Sequence, residues 1–263
     1  MRSSIFGLAF KSRWVSVLSC STGLLLFALM YTSLFKDYQS SISSLVNSIP
    51  SGLSSILGDL NIASTPTGWL DLELFSLLMP MIVAILGIVY GVASIGKEET
   101  SGTLELLLAS PISRGRILAE KSLALATQLL IVAMGAWAGA AIGSILFSFH
   151  VSLVNVFMAS LVGWLLGLAF GCFGLVTQSF SGRRGWAIGI SSGFLVLSYL
   201  AHILSGLVNY LHPIKYASLF YYFDASNWLQ GNYVWWHVGI LGGFAIICYV
   251  TAHIRFYVRD TGV

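Results

Sequence analysis

The residues Gly91 to Lys97 have the spacing GxxxxGK, which is typical of a loop that binds nucleotide phosphates. In such a loop a Ser or Thr follows the lysine to hold magnesium, and a β-strand precedes the first glycine. Here Glu98 follows the lysine and would place a negative charge beside the phosphates. The preceding run, residues 74–95, is long, apolar and contains Pro80, which favours a membrane helix over a strand. The sequence therefore predicts no nucleotide binding by this chain.

The other reactive side chains form no recognisable site. The five histidines lack the His-x-x-x-His or Glu-x-x-His spacing of a metal site. The three cysteines lie separately inside apolar runs, and we interpret them as packing residues. We find no intramembrane Asp, Glu, Lys or Arg. Ion-coupled carriers generally need such a group in the membrane, and membrane hydrolases need an acid/base pair. This pattern argues against a metal site, a membrane enzyme and a secondary transporter.

The composition is that of a membrane protein. Hydrophobic residues make up 57% of the chain and charged residues 9%, whereas about a quarter of a soluble domain is charged. A helix needs about 20 apolar residues to cross a bilayer, and the chain has six such runs. They are residues 14–35, 74–95, 117–147, 153–177, 186–209 and 235–257. We therefore predict an all-α membrane protein with six transmembrane helices, in which residues 1–263 form a single domain.

The distribution of Lys and Arg predicts the orientation, because basic residues of short loops stay on the cytoplasmic side. With the N-terminus inside, the outer segments hold only Lys36 and Lys215. The inner segments hold Arg2, Lys11, Arg13, Lys97, Arg114, Arg116, Lys121, Arg183, Arg184, Arg255 and Arg259. Both termini are therefore predicted to be cytoplasmic. The net charge of +3 reflects this topology, and no nucleic-acid partner is predicted.

Amphipathic residues mark the two membrane interfaces. Trp69, Trp228, Trp235 and Trp236 fall near the predicted outer boundary, and Trp14 and Trp186 near the inner one. Before the first span, Ile5, Phe6, Ala9 and Phe10 share one helical face beside basic residues. This pattern predicts a short N-terminal helix in the inner interface, and a disordered basic tail is the alternative.

The cytoplasmic segment between the second and third spans carries the longest charged stretch. After Gly102, a short helix is predicted in which Leu104, Leu107 and Leu108 share one face. Ser110-Pro111 ends that helix, because proline cannot continue its hydrogen-bond ladder. Leucines exposed to the cytoplasm favour a protein partner that covers them.

These residues resemble the membrane permeases of ABC-2 type ATP-binding-cassette exporters. The corresponding family segment typically reads E-E-x-x-G-T-L-E-L-L-L-x-x-P-[IV]-S-R, with G-K or E-K a few residues later. This chain has the matching residues Glu98, Glu99, Gly102, Thr103, Leu104, Glu105, Leu106, Leu107, Leu108, Pro111, Ser113, Arg114 and Lys121. Glu120 departs from the glycine that the family more often has before this lysine.

The resemblance implies a coupling helix that docks in a cleft of a separate ATP-binding-cassette ATPase. It assigns this coupling role to Glu98, Glu99, Gly102, Thr103, Leu104, Glu105, Leu107, Leu108 and Arg114. Leucines would supply desolvated area, and charged residues at the rim would fix the register. The chain itself would then be no enzyme and hold no cofactor, since ATP and magnesium would lie on the partner.

Two patterns inside the spans allow more than one interpretation. Glycines recur every four residues in the third to sixth spans, which favours tight packing within one subunit, a moving contact or a dimer seam. Ser191, Ser198, His202, Ser205 and Asn209 fall near one face of the fifth span. This polar stripe makes either interhelical hydrogen bonds or, together with Trp164, a substrate path in which Ser198, His202, Ser205 and Asn209 are candidates.

The sequence thus predicts the permease subunit of an ATP-driven exporter in the cell (plasma) membrane. The expected partners are the ATPase subunit, a second permease copy in a homodimer and membrane lipid. The resemblance implies an amphipathic substrate, which covers drugs, antibiotics, peptides and lipids alike. The alternatives are a secondary transporter and a membrane scaffold that moves nothing.

Overall fold

The computed structural model describes residues 5–39, 65–101, 114–207 and 209–258, and this part of the chain contains helices and no strand. The elements are α1 (Ile5–Lys11), α2 (Trp14–Ser33), α3 (Pro66–Leu70), a π-helix (Asp71–Leu78), α4 (Met79–Ser101), α5 (Arg114–Phe147), α6 (Leu153–Ser181), α7 (Arg184–Leu207), a 3₁₀ helix (Asn209–Ala217), α8 (Leu219–Phe223), α9 (Ala225–Leu229) and α10 (Trp235–Val258). The long helices α2, α4, α5, α6, α7 and α10 form the frame. The short α1 occupies the place where an N-terminal helix is predicted.

Six helical segments are long and apolar enough to cross a membrane, as predicted. They are Trp14–Ser33, Pro66–Gly96, Gly115–Phe147, Leu153–Ser181, Arg184–Gly206 and Trp235–Phe256. The second segment begins eight residues earlier than the apolar run beginning at residue 74 suggests. Thr65 starts it by accepting the Gly68 N–H at 3.1 Å. The wide π-helical turns then lead directly into Pro80, whose ring would crowd a regular preceding turn.

Helix α6 is the centre of the molecule and packs against α4, α5, α7 and α10. Two of its glycines meet glycines of α4, so that the two backbones touch. A methyl group on Gly87 would collide with the carbonyl oxygen of Gly167, and one on Gly91 with that of Gly171. Gly135 and Gly139 of α5 similarly meet the backbone of α2. The predicted packing within one subunit is therefore confirmed for the third and fourth spans.

The same prediction is wrong for the fifth and sixth spans within this chain. Within the part of the chain that the structure describes, an added Cβ would meet no atom within 4 Å at Gly185, Gly189, Gly193, Gly239 or Gly243. Helix α7 lies at the edge of the bundle, where no other described helix covers its glycine face. The glycine spacing is common to all these helices, but the position of each helix in the bundle decides whether its glycines are covered.

Two further expectations need correction. Asp71 and Glu73 lie inside the second helical segment, and Lys121 is buried in the third, so the spans do contain ionisable groups. The apolar runs hid them because Asp71 and Glu73 lie just before the run that starts at residue 74, and Lys121 lies close to the start of the third run. Trp69 and Trp228 are also buried among protein groups, with exposures of 6% and 1%, instead of facing lipid headgroups. Trp14, Trp186, Trp235 and Trp236 are exposed at the surface of the chain, as interfacial residues should be.

Candidate functional site

The segment predicted to couple the chain to an ATPase lies between α4 and α5. Glu98 and Glu99 belong to the last turns of α4, and Arg114 is the first residue of α5. The remaining predicted residues, Gly102, Thr103, Leu104, Glu105, Leu107 and Leu108, lie outside the described residues. The amphipathic helix and its leucine face therefore stay predictions, and the structure describes the two helix ends that hold the segment.

These two helix ends are joined by a buried lysine. The Lys121 ammonium of α5 donates to the carbonyl oxygen of Ser94 in α4 at 2.6 Å, and the lysine is only 7% exposed. Ser94 in turn donates its hydroxyl to the Tyr90 carbonyl oxygen at 2.7 Å. Bonds to a charged donor are among the strong ones in proteins. This bond joins α4 to α5 about two helical turns from the ends that hold the coupling segment. We call this joined pair of helix ends the base of the coupling segment.

The N-terminal helix α1 is attached to the same base. The Phe6 N–H donates to the Glu120 carboxylate at 3.2 Å, and the Gln128 amide donates to the Ala9 carbonyl oxygen at 3.2 Å. Following α1, the Arg13 guanidinium donates to the Tyr90 carbonyl oxygen at 3.1 Å and lies over the Tyr90 ring. Helix α1 is thus bonded to α5, and the residue that follows it is bonded to α4.

The polar stripe of α7 divides into residues with different surroundings. Ser191 is buried and shares a hydrogen bond of 2.8 Å with the Thr177 hydroxyl of α6. Ser198 is also buried, and its hydroxyl accepts the Leu219 N–H at 2.9 Å. The Ser218 hydroxyl donates to the Ser198 carbonyl oxygen at 2.6 Å. These contacts favour the hydrogen-bonding interpretation for the N-terminal and central parts of the stripe.

The C-terminal part of the stripe borders open space at His202. His202 is exposed, and Ser205 is buried while donating to the His202 carbonyl oxygen at 2.8 Å. Asn209 lies in the 3₁₀ helix, and its side chain is outside the described part of the chain. Trp164, the fifth predicted path residue, donates its indole N–H to the Ala126 carbonyl oxygen at 2.8 Å and joins α6 to α5. The structure therefore does not bring Trp164 and the α7 stripe together as one polar surface.

His202 lies between two cavities at the end of α7. A cavity of about 150 Å³ is lined by Asp71, Ser76, His202, Phe220, Phe223, Asp224, Ala225 and Ser226. A more open one of about 550 Å³ is lined by His202, Ile203, Ser205, Gly206, His212, Lys215 and Tyr221. The first carries two carboxylates and the second a lysine, so the two sides of His202 differ in charge. The carboxylates were missed in the sequence because they lie outside the apolar runs.

The aromatic segment before the last span is folded into the bundle. Ser218 begins α8 by accepting the Phe220 N–H at 3.2 Å, and α8 ends at Asp224 in a left-handed conformation with φ of 33°. Phe220 packs against the rings of Phe170 in α6 and Tyr199 in α7. Helix α8 as a whole contacts three of the long helices, α6, α7 and α10.

The six apolar helical segments define a multi-pass membrane protein. The sequence profile described as ABC-2 family transporter protein matches residues 6–260, almost the whole chain. The chain therefore belongs to the ABC-2 family, and it is a membrane permease that acts in transmembrane transport. The resemblance given by residues 98–121 is thus confirmed over the whole chain. No curated protein matches it in sequence.

Proposed function

We propose that this chain is the permease subunit of an ATP-driven exporter that moves an amphipathic substrate out through the plasma membrane. Residues 1–263 would form one membrane domain with both termini in the cytoplasm, and a second copy would complete a homodimer. A separate ATPase with its own ATP and magnesium would bind through the segment between α4 and α5. The family match over residues 6–260 carries this proposal.

The coupling motif supports the ATP-driven alternative over the secondary transporter. The sequence argument against a secondary transporter is that the spans lack ionisable groups. That argument does not hold, because Lys121 and Asp71 lie within the helical segments. The argument depends instead on the family and on leucines that the sequence places in the predicted cytoplasmic segment. Connecting two membrane helices needs no such leucines, whereas docking into a cleft of another protein does.

The mechanism would be alternating access. When the ATPase pair closes on ATP, the coupling segments would move with it and the two permeases would open a path at their seam. A ligand can shift such an equilibrium only through a difference in its interaction with the two states. The coupling contacts must therefore differ between the open and closed ATPase, and weakening them should uncouple transport without unfolding the spans.

The test is to replace Leu104 and Leu107 together by Asp and to measure co-purification of a co-expressed ATP-binding-cassette ATPase. Loss of the ATPase is expected, because two carboxylates would enter a desolvated contact. Leu106→Asp is the matched control, since Leu106 projects from the opposite side of the predicted helix and should keep the partner. Intact binding and ATP-dependent transport by the double variant would overturn the proposal.

A further inference from the structure

Helix α1 is fastened to the base of the coupling segment at two points. Glu120 and Gln128 are two helical turns apart on α5, so they lie on one face of it. Glu120 accepts the N–H of Phe6, near the start of α1, and Gln128 donates to the carbonyl oxygen of Ala9, near its end. Two bonds in line along a short helix fix both its distance and its direction relative to α5.

The Phe6 contact satisfies a group that the helix itself leaves open. The first N–H groups of an α-helix have no acceptor within the helix, and α1 begins at Ile5. A carboxylate is a strong acceptor for such a group. Glu120 also accepts from Arg116 at 3.0 Å, but the Arg116 side chain is 72% exposed while that of Glu120 is only 22% exposed. The Arg116 end of this pair is open to solvent, so the pair contributes little to stability. The Glu120 carboxylate therefore bonds both Arg116 and the start of α1.

The remaining contacts extend this attachment to α4. Lys121, next to Glu120, is bonded to Ser94, and Arg13 is bonded to Tyr90 one turn earlier in α4. Helices α1, α4 and α5 are therefore joined by hydrogen bonds from side chains of one segment to backbone groups of another. A glycine at position 120 would provide no carboxylate for the Phe6 N–H.

We propose that Glu120 and Gln128 are positioning residues that join α1 to α5. Through them, α1 shifts together with the coupling segment when the partner ATPase closes. The inference rests on the proposed function for the ATPase, but the attachment itself does not. Force applied to the segment would reach α5 first, and through Glu120 and Gln128 it would reach α1. The first transmembrane helix α2, which follows α1 directly, would then receive the same displacement.

The attachment is tested first without the partner. Amide hydrogen exchange of residues 5–11 is measured in nanodiscs for the wild type, Glu120→Ala, Glu120→Gln and Gln128→Ala. We expect severalfold faster exchange in α1 for Glu120→Ala and Gln128→Ala, and a smaller increase for Glu120→Gln, which keeps an acceptor oxygen. Arg116→Ala is the matched control and should leave α1 protected. Unchanged exchange in Glu120→Ala, or an equal increase in Arg116→Ala, would overturn the attachment.

The movement is tested next in the complex with the partner ATPase, with and without ATP and vanadate. In the wild type, residues 5–11 and residues 98–113 are both expected to change exchange when the nucleotide is trapped. In Glu120→Ala the segment 98–113 should still respond, whereas α1 should not. A wild-type response confined to residues 98–113 would overturn this inference and leave the proposed function intact. Failure of any complex to form would overturn the proposed function and leave the result on α1 attachment unaffected.

Discussion

The ammonium of Lys121 lies 2.6 Å from the carbonyl oxygen of Ser94, in a place that is nearly sealed from solvent. This contact joins the helix that leads into the coupling segment to the helix that leaves it. The sequence motif places a lysine at this position, but it does not indicate which group the lysine binds. In the structure the partner is a backbone carbonyl oxygen, which is present whatever residue occupies position 94.

Replacing Lys121 by Met should destabilise the protein, because the variant loses a charge-assisted hydrogen bond but keeps an unbranched side chain of similar length. A hydrogen bond to a charged group contributes about 1.5–3 kcal/mol, so a clear decrease in melting temperature is expected. The measurement is a thermal unfolding scan of the purified protein in detergent. Lys11→Met is the control, since Lys11 is exposed in α1 and its removal should leave the melting temperature almost unchanged. A melting temperature equal to that of the wild type would contradict the structural importance of this bond.

Gly91→Ala should be far more damaging than Gly239→Ala, although both change one hydrogen into a methyl group in a helix. The methyl group at position 91 would enter the Gly171 backbone, whereas position 239 has no atom within 4 Å. Overpacking of this kind costs about 1–3 kcal/mol, while alanine in an open helical position is neutral or slightly favourable. The comparison is made by thermal unfolding in detergent. Equal effects would show that α4 and α6 do not approach as closely as described.

Much of the fold follows from the sequence, because each membrane helix must satisfy its own backbone hydrogen bonds and hence appears as an apolar run. The six spans follow from this constraint, and the family follows from the motif between Glu98 and Arg114. Neighbour relations do not, since Gly91 and Gly239 look alike in the sequence and differ completely in their surroundings. The contact between Phe6 and Glu120 joins residues 114 positions apart, and no local pattern indicates it.

Two of the predicted path residues, Ser198 and His202, should differ in access from the outer side. His202 is exposed and lines both cavities, whereas Ser198 is 4% exposed and sealed by Ser218 and Leu219. In a background with the three native cysteines replaced by Ala, His202→Cys should react with a membrane-impermeant maleimide added outside. Ser198→Cys should not react until the protein is unfolded. Reaction of His202→Cys only from the cytoplasmic side would contradict the proposed orientation.

The open glycine face of α7 should control the proposed homodimer. A Cβ added at Gly185 or Gly189 would meet no described atom within 4 Å, and together with Trp186 and Ile190 these glycines line a groove of about 430 Å³. Helices approach closely in membranes where small residues face each other, so Gly189→Leu would hold a second α7 at a distance. We expect a lower dimer fraction by native mass spectrometry or single-molecule photobleaching in nanodiscs, with an unchanged melting temperature of the monomer. Gly23→Leu in α2 is the matched control, because Gly23 is equally open but carries no neighbouring glycine one turn away. An unchanged dimer fraction for Gly189→Leu would show that another helix forms the dimer contact. A monomeric wild type would contradict the proposed homodimer.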